Sequence, residues 1–323
     1  MPEFGIGLRG DLDFADYAGV GRQAERFGFD VVTVFGDLGF QPPFPILTAI
    51  AAATERVRLG PSCVNPYTMH PVEIAAHVAA LDSASAGRAY LGLARGAWLE
   101  SVGVDQPRPI RALAETWEIT QRLLAGDASG YAGELFTVAP GFSLQHPVLR
   151  SEVPLLIGTW GERTAALAGR IARELKVGGS ANPDLVPIVR GWLGVPAGRT
   201  GIVLGAVTVV DADRTAARER ARTRVALYFE VVARHDPTVE LPGRLLDDMR
   251  RALQAGDDAA AGRMIPDALL DRFAFAGTPD DIVGRCREIF AAGAQRVEFG
   301  APFGLEPDRG LRLLGERVLG AFR

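Results

Sequence analysis

The chain has 323 residues, of which 35 are basic and 39 are acidic, and 48% of its residues are hydrophobic. This balance of charge argues against nucleic-acid binding and against attachment to an anionic membrane surface. No segment approaches the roughly twenty apolar residues of a membrane span. The charge balance therefore favours a small-molecule substrate. The N-terminal segment lacks a cationic, apolar leader, so we expect a cytoplasmic protein.

Short β-rich runs alternate with helical patterns along the chain. Strands are expected at residues 4–8, 30–35, 57–61, 89–94, 154–158, 175–178, 202–210 and 296–300. The helices that follow them are expected at residues 14–27, 44–54, 71–85, 110–124, 162–172, 183–193, 215–233 and 308–322. Each parallel pairing of strands needs a crossover helix, so eight βα units in succession predict a (β/α)8 TIM barrel.

Three longer segments interrupt the alternation and are interpreted as insertions in a single domain spanning 1–323. They lie at about 97–109, 127–153 and 235–278. Insertions of this kind commonly carry lids, binding loops or subunit contacts. A further helix is expected after Thr278, because the sequence Thr-Pro-Asp-Asp that begins there is typical of a helix N-cap.

The most constrained turn follows the third predicted strand and runs from Val57 to Pro71. Proline biases the preceding residue towards an extended conformation, so Asn65 and His70 are steered away from helix. Pro71 suits the first position of the next helix, with His70 as the expected N-cap. A strand end, a rigid loop and a helix N-terminus therefore lie within one short segment, which indicates a strand end shaped to hold a ligand.

Active sites of TIM barrels lie at the C-terminal ends of the strands, so the residues there are the candidates. In this chain those ends are rich in glycine and poor in titratable groups. Such a set favours a cradle for a large planar or phosphorylated cofactor over a hydrolase centre. The alternative for the glycines is that they relieve crowding at the strand ends.

Several stretches together carry a resemblance to a known family. They are FGIGL, ERFGFDVVTV, RLGPSCVNPYTMHP, ALDSASAGRAYLGLARG, PLLIGTWGERTAALAGRIA, FAGTPDDIVGRCREIF and LRLLGERVLGAF. In their order and spacing the chain resembles the bacterial luciferase-like flavin and deazaflavin oxidoreductases, and most closely the coenzyme F420-dependent methylenetetrahydromethanopterin reductases. The resemblance implies a luciferase-like barrel that binds coenzyme F420, with FMN as the alternative, and transfers hydride to or from an unidentified organic substrate. It also implies a homo-oligomer, either a dimer or a tetramer.

The resemblance also assigns candidate site residues by position. It implies a non-prolyl cis peptide bond between Ser62 and Cys63, behind the central ring of the cofactor. Asp37 becomes the candidate for protonation or for a hydrogen bond to the ring, its alternative role being a loop cap. The residues expected to bind the cofactor are Ser62, Cys63, Val64, Asn65, Gly96, Gly158, Thr159, Trp160, Gly161, Gly178 and Gly179.

The chain departs from the family pattern at three places. The Asp-His pair often found after the second strand is Gly36-Asp37 here, and the acid of the first strand corresponds to Gly7. The glutamate after the fourth strand in the sugar-phosphate branch corresponds to Ala97. Hydride transfer needs mainly the alignment of donor and acceptor, so it is compatible with these differences. A flavin-binding protein without turnover is compatible with them too.

Other functions remain open from the residues alone. Within redox chemistry the alternative is an FMN-dependent, luciferase-like monooxygenase. Lys176, the only lysine, lies in the sixth predicted strand, where a barrel can form a Schiff base, so an aldolase is a further alternative; otherwise we expect this lysine to reach solvent.

No metal site is expected. Cys63 and Cys286 are too few for a zinc quartet, and Cys286 is expected in the core. His70, Glu73 and His77 share one helix face, for which a helix cap and packing are favoured over metal binding.

Overall fold

The computed structural model describes residues 2–196 and 198–323. Its strands are β1 (Glu3–Leu8), β2 (Val31–Val34), β3 (Arg58–Pro61), β4 (Leu91–Leu93), β5 (Tyr131–Ala132), β6 (Thr137–Val138), β7 (Leu155–Gly158), β8 (Glu174–Gly178), β9 (Gly201–Val210), β10 (Ala274–Gly277) and β11 (Arg296–Gly304). Its α-helices are α1 (Tyr17–Phe27), α2 (Pro43–Ala51), α3 (Pro71–Ala84), α4 (Pro109–Leu124), α5 (Glu162–Ile171), α6 (Leu185–Leu193), α7 (Arg214–Ala233), α8 (Leu245–Gln254), α9 (Asp258–Arg263), α10 (Asp267–Phe273), α11 (Pro279–Ala291) and α12 (Pro307–Leu313).

A ring of parallel strands forms the centre of the fold. The pairing order is β3-β2-β1-β11-β9-β8-β7-β4, and the isolated bridges Leu59–Ala89 and Val64–Leu93 connect the two ends of this order. The predicted TIM barrel is therefore confirmed, and each predicted strand coincides with one strand of the ring. Because the strands run in one direction, their C-terminal ends meet at one rim, which we call the mouth.

Two predicted helix starts are confirmed by their caps. The Nδ1 atom of His70 accepts a hydrogen bond of 3.2 Å from the backbone N–H of Val72, with Pro71 as the first residue of α3. At α11 the side chain of Thr278 accepts from the backbone N–H of Asp281, whose carboxylate accepts from Thr278 in return. Both caps satisfy backbone donors that a helix start leaves without partners.

The predicted insertions contain structure that the alternation pattern did not resolve. Residues 235–278 hold α8, α9, α10 and β10, and these helices pack on α7 in a separate apolar cluster that includes Phe229, Met249 and Phe273. β10 pairs with the last four residues of β9, beyond the point where β8 ends. Residues 127–153 hold the small β5–β6 hairpin. Helices α9 and α10 have only six and seven residues, which is too short for a hydrophobic period to be recognised.

The predicted C-terminal helix at 308–322 is correct only in its first part. α12 ends at Leu313, and the chain continues as a π turn at Leu314–Val318 and a 3-10 turn at Leu319–Phe322. In this segment a Cβ on Gly315 would overlap the side chain of Phe27, so the chain passes very close to α1. Helices α1 and α6 also begin later than predicted, at Tyr17 and Leu185.

The main apolar core lies between the ring of strands and the helices around it. Cys286 is fully buried in this core, as expected from its apolar neighbours in sequence. Across residues 2–196 and 198–323, no helix combines the length and apolar character needed to cross a membrane.

Candidate active site at the barrel mouth

Two hydrogen-bonded ion pairs lie in the interior of the barrel, and a longer contact of 3.9 Å between Arg296 and Glu298 links them. Arg296 donates to both carboxylate oxygens of Glu174 at 2.8 and 2.9 Å, and Lys176 donates to Glu298. Strand β9 lies between β8 and β11, so these pairs cross the inside of the ring. All four side chains are buried, and we call them the interior cluster.

The ammonium group of Lys176 lies on the mouth side of this cluster. Its Nζ donates to Ser62 Oγ at 2.7 Å and lies 5.2 Å from the centre of the Phe35 ring. The carboxylate of Glu298 lies deeper, where its Oε1 accepts from Thr33 Oγ1 at 3.3 Å. The side chain of Lys176 is 5% exposed, so the expectation that it reaches solvent is wrong. A positive charge therefore forms part of the floor of the mouth.

Sequence reasoning missed Glu174, Arg296 and Glu298, although a signal was present. Residues 174–176 read Glu-Leu-Lys and residues 296–298 read Arg-Val-Glu, with opposite charges at positions i and i+2. Side chains at this spacing point to the same face of a strand. The reversed order of charge in the two strands matches the observed pairs, but it becomes informative only once the topology is known.

The interior cluster also bears on the aldolase alternative. A Schiff-base lysine needs an unprotonated amine that is open to a carbonyl group. The Nζ of Lys176 instead donates to Glu298 and to Ser62. These two contacts occupy the Nζ atom, so the arrangement gives the aldolase alternative no support.

The loop after β3 is held firmly against β4. The peptide bond between Ser62 and Cys63 is cis, as the resemblance implies. The backbone N–H of Val64 donates to Gly92 at 3.0 Å, and its carbonyl accepts from Ala94 at 3.0 Å. Buried Asn65 accepts from the backbone N–H groups of two residues that follow it, which fixes the turn.

Glycines allow neighbouring strand ends to approach this loop closely. A Cβ on Gly36 would overlap the carbonyl oxygen of Cys63, and a Cβ on Gly158 would lie 2.8 Å from the Cys63 Sγ atom. Gly96, with φ of +86°, lies against Asn65, whose Cγ would be 3.1 Å from an added Cβ. The strand ends of β2, β4 and β7 thus converge on the loop after β3.

The remaining predicted residues form the rim beside β7 and β8. The Oγ1 atom of Thr159 accepts from the Gly161 N–H at 2.9 Å, and the Trp160 indole N–H donates to the Gly178 carbonyl at 2.8 Å. Gly179 has φ of +79° and turns towards α7. The structure therefore brings the predicted residues to one rim, and their contact with a cofactor stays a prediction.

Asp37 lies at the same rim, after β2, and is partly exposed. Burial raises the pKa of its carboxyl group, and the positive charges of Lys176 and Arg9 oppose this shift. Among the described residues, none donates a hydrogen bond to this carboxylate, which gives no support to the alternative role as a loop cap. A carboxyl group with a raised pKa holds its proton more readily than an ordinary carboxyl group, which suits a role in proton exchange.

The histidines of α3 have packing and capping roles. The ring of His77 stacks on Phe44 with 4.9 Å between centres, while His70 caps the helix. Within the part of the chain that the structure describes, no three His, Cys, Asp or Glu side chains form a group that could hold a metal ion.

Cys63 should be chemically inert in the folded protein. Burial raises the pKa of its thiol to about 11, against the smaller opposing effects of Lys176 and Ser62. Because the thiolate is the reactive form, iodoacetamide should alkylate Cys63 about 100-fold more slowly at pH 8 than an ordinary thiol. Mass spectrometry of native and urea-unfolded protein measures this difference. Labelling of native Cys63 at the rate seen in urea would contradict the assignment.

The chain is similar over nearly its whole length to several named enzymes. The 5,10-methylenetetrahydromethanopterin reductase of Archaeoglobus fulgidus is 26% identical over 98% of this chain and 98% of its own length. The F420-dependent glucose-6-phosphate dehydrogenase of Microbacterium testaceum is 29% identical over 94% of this chain and 92% of its own. The structure of the coenzyme F420-dependent tetrahydromethanopterin reductase from Methanopyrus kandleri has a TM-score of 0.91 at 24% identity, covering 100% of this chain and 99% of that one. The sequence profile for luciferase-like monooxygenases matches residues 3–296, so the chain belongs to the luciferase-like monooxygenase family.

Proposed function

We propose that this chain is a coenzyme F420-dependent oxidoreductase, which transfers hydride between the deazaflavin and a small organic substrate. The proposal depends on the cofactor that two of the similar proteins share. One is named for a pterin substrate and the other for a sugar phosphate, yet both are named as F420-dependent. The shared element is the cofactor, so the similarity supports the deazaflavin and leaves the substrate open.

The residues of the mouth fit a planar ring. The space around Gly178 is open, because a Cβ added there would meet nothing within 4 Å. The floor consists of Ser62, Cys63 and the loop that follows them, in which Val64 is hydrogen-bonded to Gly92 and Ala94. Exposed backbone without bulky side chains lets a flat ring approach closely.

The bound deazaflavin would supply the carbon that gives or receives hydride. The protein would act mainly by alignment: the loop at Ser62-Cys63 would support one face of the ring, and the other face would be left to the substrate. Asp37, the carboxyl group at the rim with a raised pKa, would hold or release the proton that accompanies hydride transfer. We also propose a homo-oligomer as the working assembly, for which the family resemblance is the support.

Gly178→Ala tests the position of the ring. The residue is exposed and its φ is not left-handed, so alanine should leave the melting temperature unchanged. If the ring lies against this strand end, the added methyl group should weaken the binding of coenzyme F420 at least about tenfold, or ~1.4 kcal/mol. Calorimetric titration measures the affinity.

Gly191→Ala is the matched control, because a Cβ there also meets nothing within 4 Å but lies in α6, away from the rim. Equal affinities of the two variants for coenzyme F420 would place the ring elsewhere.

A luciferase-like monooxygenase that uses FMN is the second candidate. The family profile that matches residues 3–296 is described by that activity, which favours keeping this candidate. It differs from the first in the ring bound and in the consumption of oxygen.

A further inference from the structure

Lys176 has a position in the fold that the proposed function does not yet use. It is the only lysine of the chain, and it extends from β8 across the barrel to Ser62, 2.7 Å away. The strands run towards the mouth, and Thr33, which contacts Glu298, precedes Phe35, which contacts the ammonium. The positive end of the Lys176–Glu298 pair therefore faces the mouth and the negative end faces the interior.

The positive charge of Lys176 affects the pKa values of two groups at the mouth, Asp37 and Cys63. The positive charge of Lys176 lowers the pKa of Asp37, with a further contribution from Arg9, against the larger effect of burial. At Cys63 burial is the largest effect, Lys176 is the next, and the opposite effect of Glu298 is smaller. Arg296 lies deeper, beside Glu174. Lys176 is therefore the positive charge that acts on both of these groups at the mouth.

The two candidate cofactors differ in how they interact with such a charge. The deazaflavin ring of coenzyme F420 carries a hydroxyl group conjugated to a ring carbonyl, so its ionisation spreads a negative charge over the oxidised ring. The oxidised ring of FMN has no such hydroxyl group and is neutral. A positive charge held in a buried site favours the ionised form of a nearby acid.

We propose that Lys176 is a specificity-determining residue, whose buried ammonium group beneath Ser62 selects an anionic deazaflavin ring over a neutral flavin ring. Glu298 is the buried counter-ion of this ammonium group and lies on the side away from the mouth, where it accepts a hydrogen bond from Thr33. The inference rests on the proposed function, because it concerns the same mouth and the same cofactor.

The test compares affinities for coenzyme F420 and FMN by calorimetry. Lys176→Met should weaken the binding of coenzyme F420 at least tenfold and leave the affinity for FMN within threefold of that of the wild type, if FMN binds. Removing the ammonium alone leaves buried Glu298 with only the more distant guanidinium of Arg296, 3.9 Å away, among the described ion pairs, so this variant is expected to lose stability. Lys176→Met/Glu298→Gln removes both charges and should show the same selective loss, while Glu298→Gln alone should retain tight binding of coenzyme F420.

The absorption spectrum of the bound oxidised ring gives a second measurement, because the neutral and anionic forms absorb differently. In Lys176→Met/Glu298→Gln the pKa of the bound ring should rise by at least one unit relative to the wild type, a tenfold change in its ionisation constant. Glu298→Gln should leave that pKa unchanged or lower it. If Lys176 contributed only to packing, its replacement would not weaken the binding of coenzyme F420 more than that of FMN, and it would not change the pKa of the bound ring.

The outcomes separate the two proposals. Failure of the wild type to bind coenzyme F420 would overturn the proposed function. If the wild type binds it, an unchanged ring pKa in the double variant, or equal losses for coenzyme F420 and FMN, would overturn the role of Lys176 and leave the proposed function standing.

Discussion

Replacing Arg296 with methionine should lower the free energy of unfolding by about 3–5 kcal/mol. Arg296 is fully buried and donates two hydrogen bonds to Glu174. Burial opposes its charge, but the neighbouring Glu174, Tyr90 and Glu298 outweigh this effect, so that the pKa of the guanidinium is raised. The variant leaves Glu174 buried with Arg58 as a weaker cationic neighbour, whose Nη1 is 3.6 Å from the carboxylate. Urea unfolding measures the loss.

The control for this variant is Glu174→Leu/Arg296→Met, which removes both charges together. Replacing a buried ion pair by apolar residues of similar volume is often nearly neutral, whereas breaking it is costly. We therefore expect the double variant to be more stable than Arg296→Met. A single variant as stable as the wild type, or a double variant that is no better than the single one, would show that this pair does not carry the stability assigned to it.

Gly36→Ala should weaken the binding of coenzyme F420 about 100-fold, or ~2.7 kcal/mol. The added Cβ would overlap the carbonyl oxygen of Cys63. The following residue, Val64, is bonded to β4 through both its N–H and its carbonyl, so the loop cannot yield without losing those bonds or displacing the end of β2. Either shift moves the floor on which the ring is proposed to lie.

Gly19→Ala is the matched control, because a Cβ at that position in α1 meets nothing within 4 Å. Circular dichroism checks that both variants are folded, and titration with coenzyme F420 measures their affinities. If folded Gly36→Ala binds as tightly as Gly19→Ala, the loop after β3 does not support the ring.

The barrel could be predicted from sequence because its strands are marked by local signals. β9 is a long apolar run, and α3 and α11 begin at a proline preceded by a capping residue. These features act within a few residues, so they do not depend on the rest of the fold. The C-terminal ends of parallel strands share one edge, which is why the candidate residues of the mouth followed from the strand order.

The interior cluster could not be predicted in the same way. The period of two in a strand shows that Glu174 and Lys176 share a face, but it does not say whether that face is inside the ring. Their partners lie on β11, more than a hundred residues later in the chain. Helices α8, α9 and α10 escaped prediction for another reason: they are short, with ten, six and seven residues, and they form with α7 an apolar cluster separate from the main core.

Titration of the protein with coenzyme F420 and, separately, with FMN tests the central claim most directly. The change in fluorescence of each ring gives its dissociation constant, and an oxygen electrode follows the complexes after reduction. The account predicts that coenzyme F420 binds at least about tenfold more tightly than FMN, or by ~1.4 kcal/mol, and that its reduced complex does not consume oxygen. Equal or tighter binding of FMN, with oxygen consumed on reduction, would contradict it and identify a flavin-dependent monooxygenase.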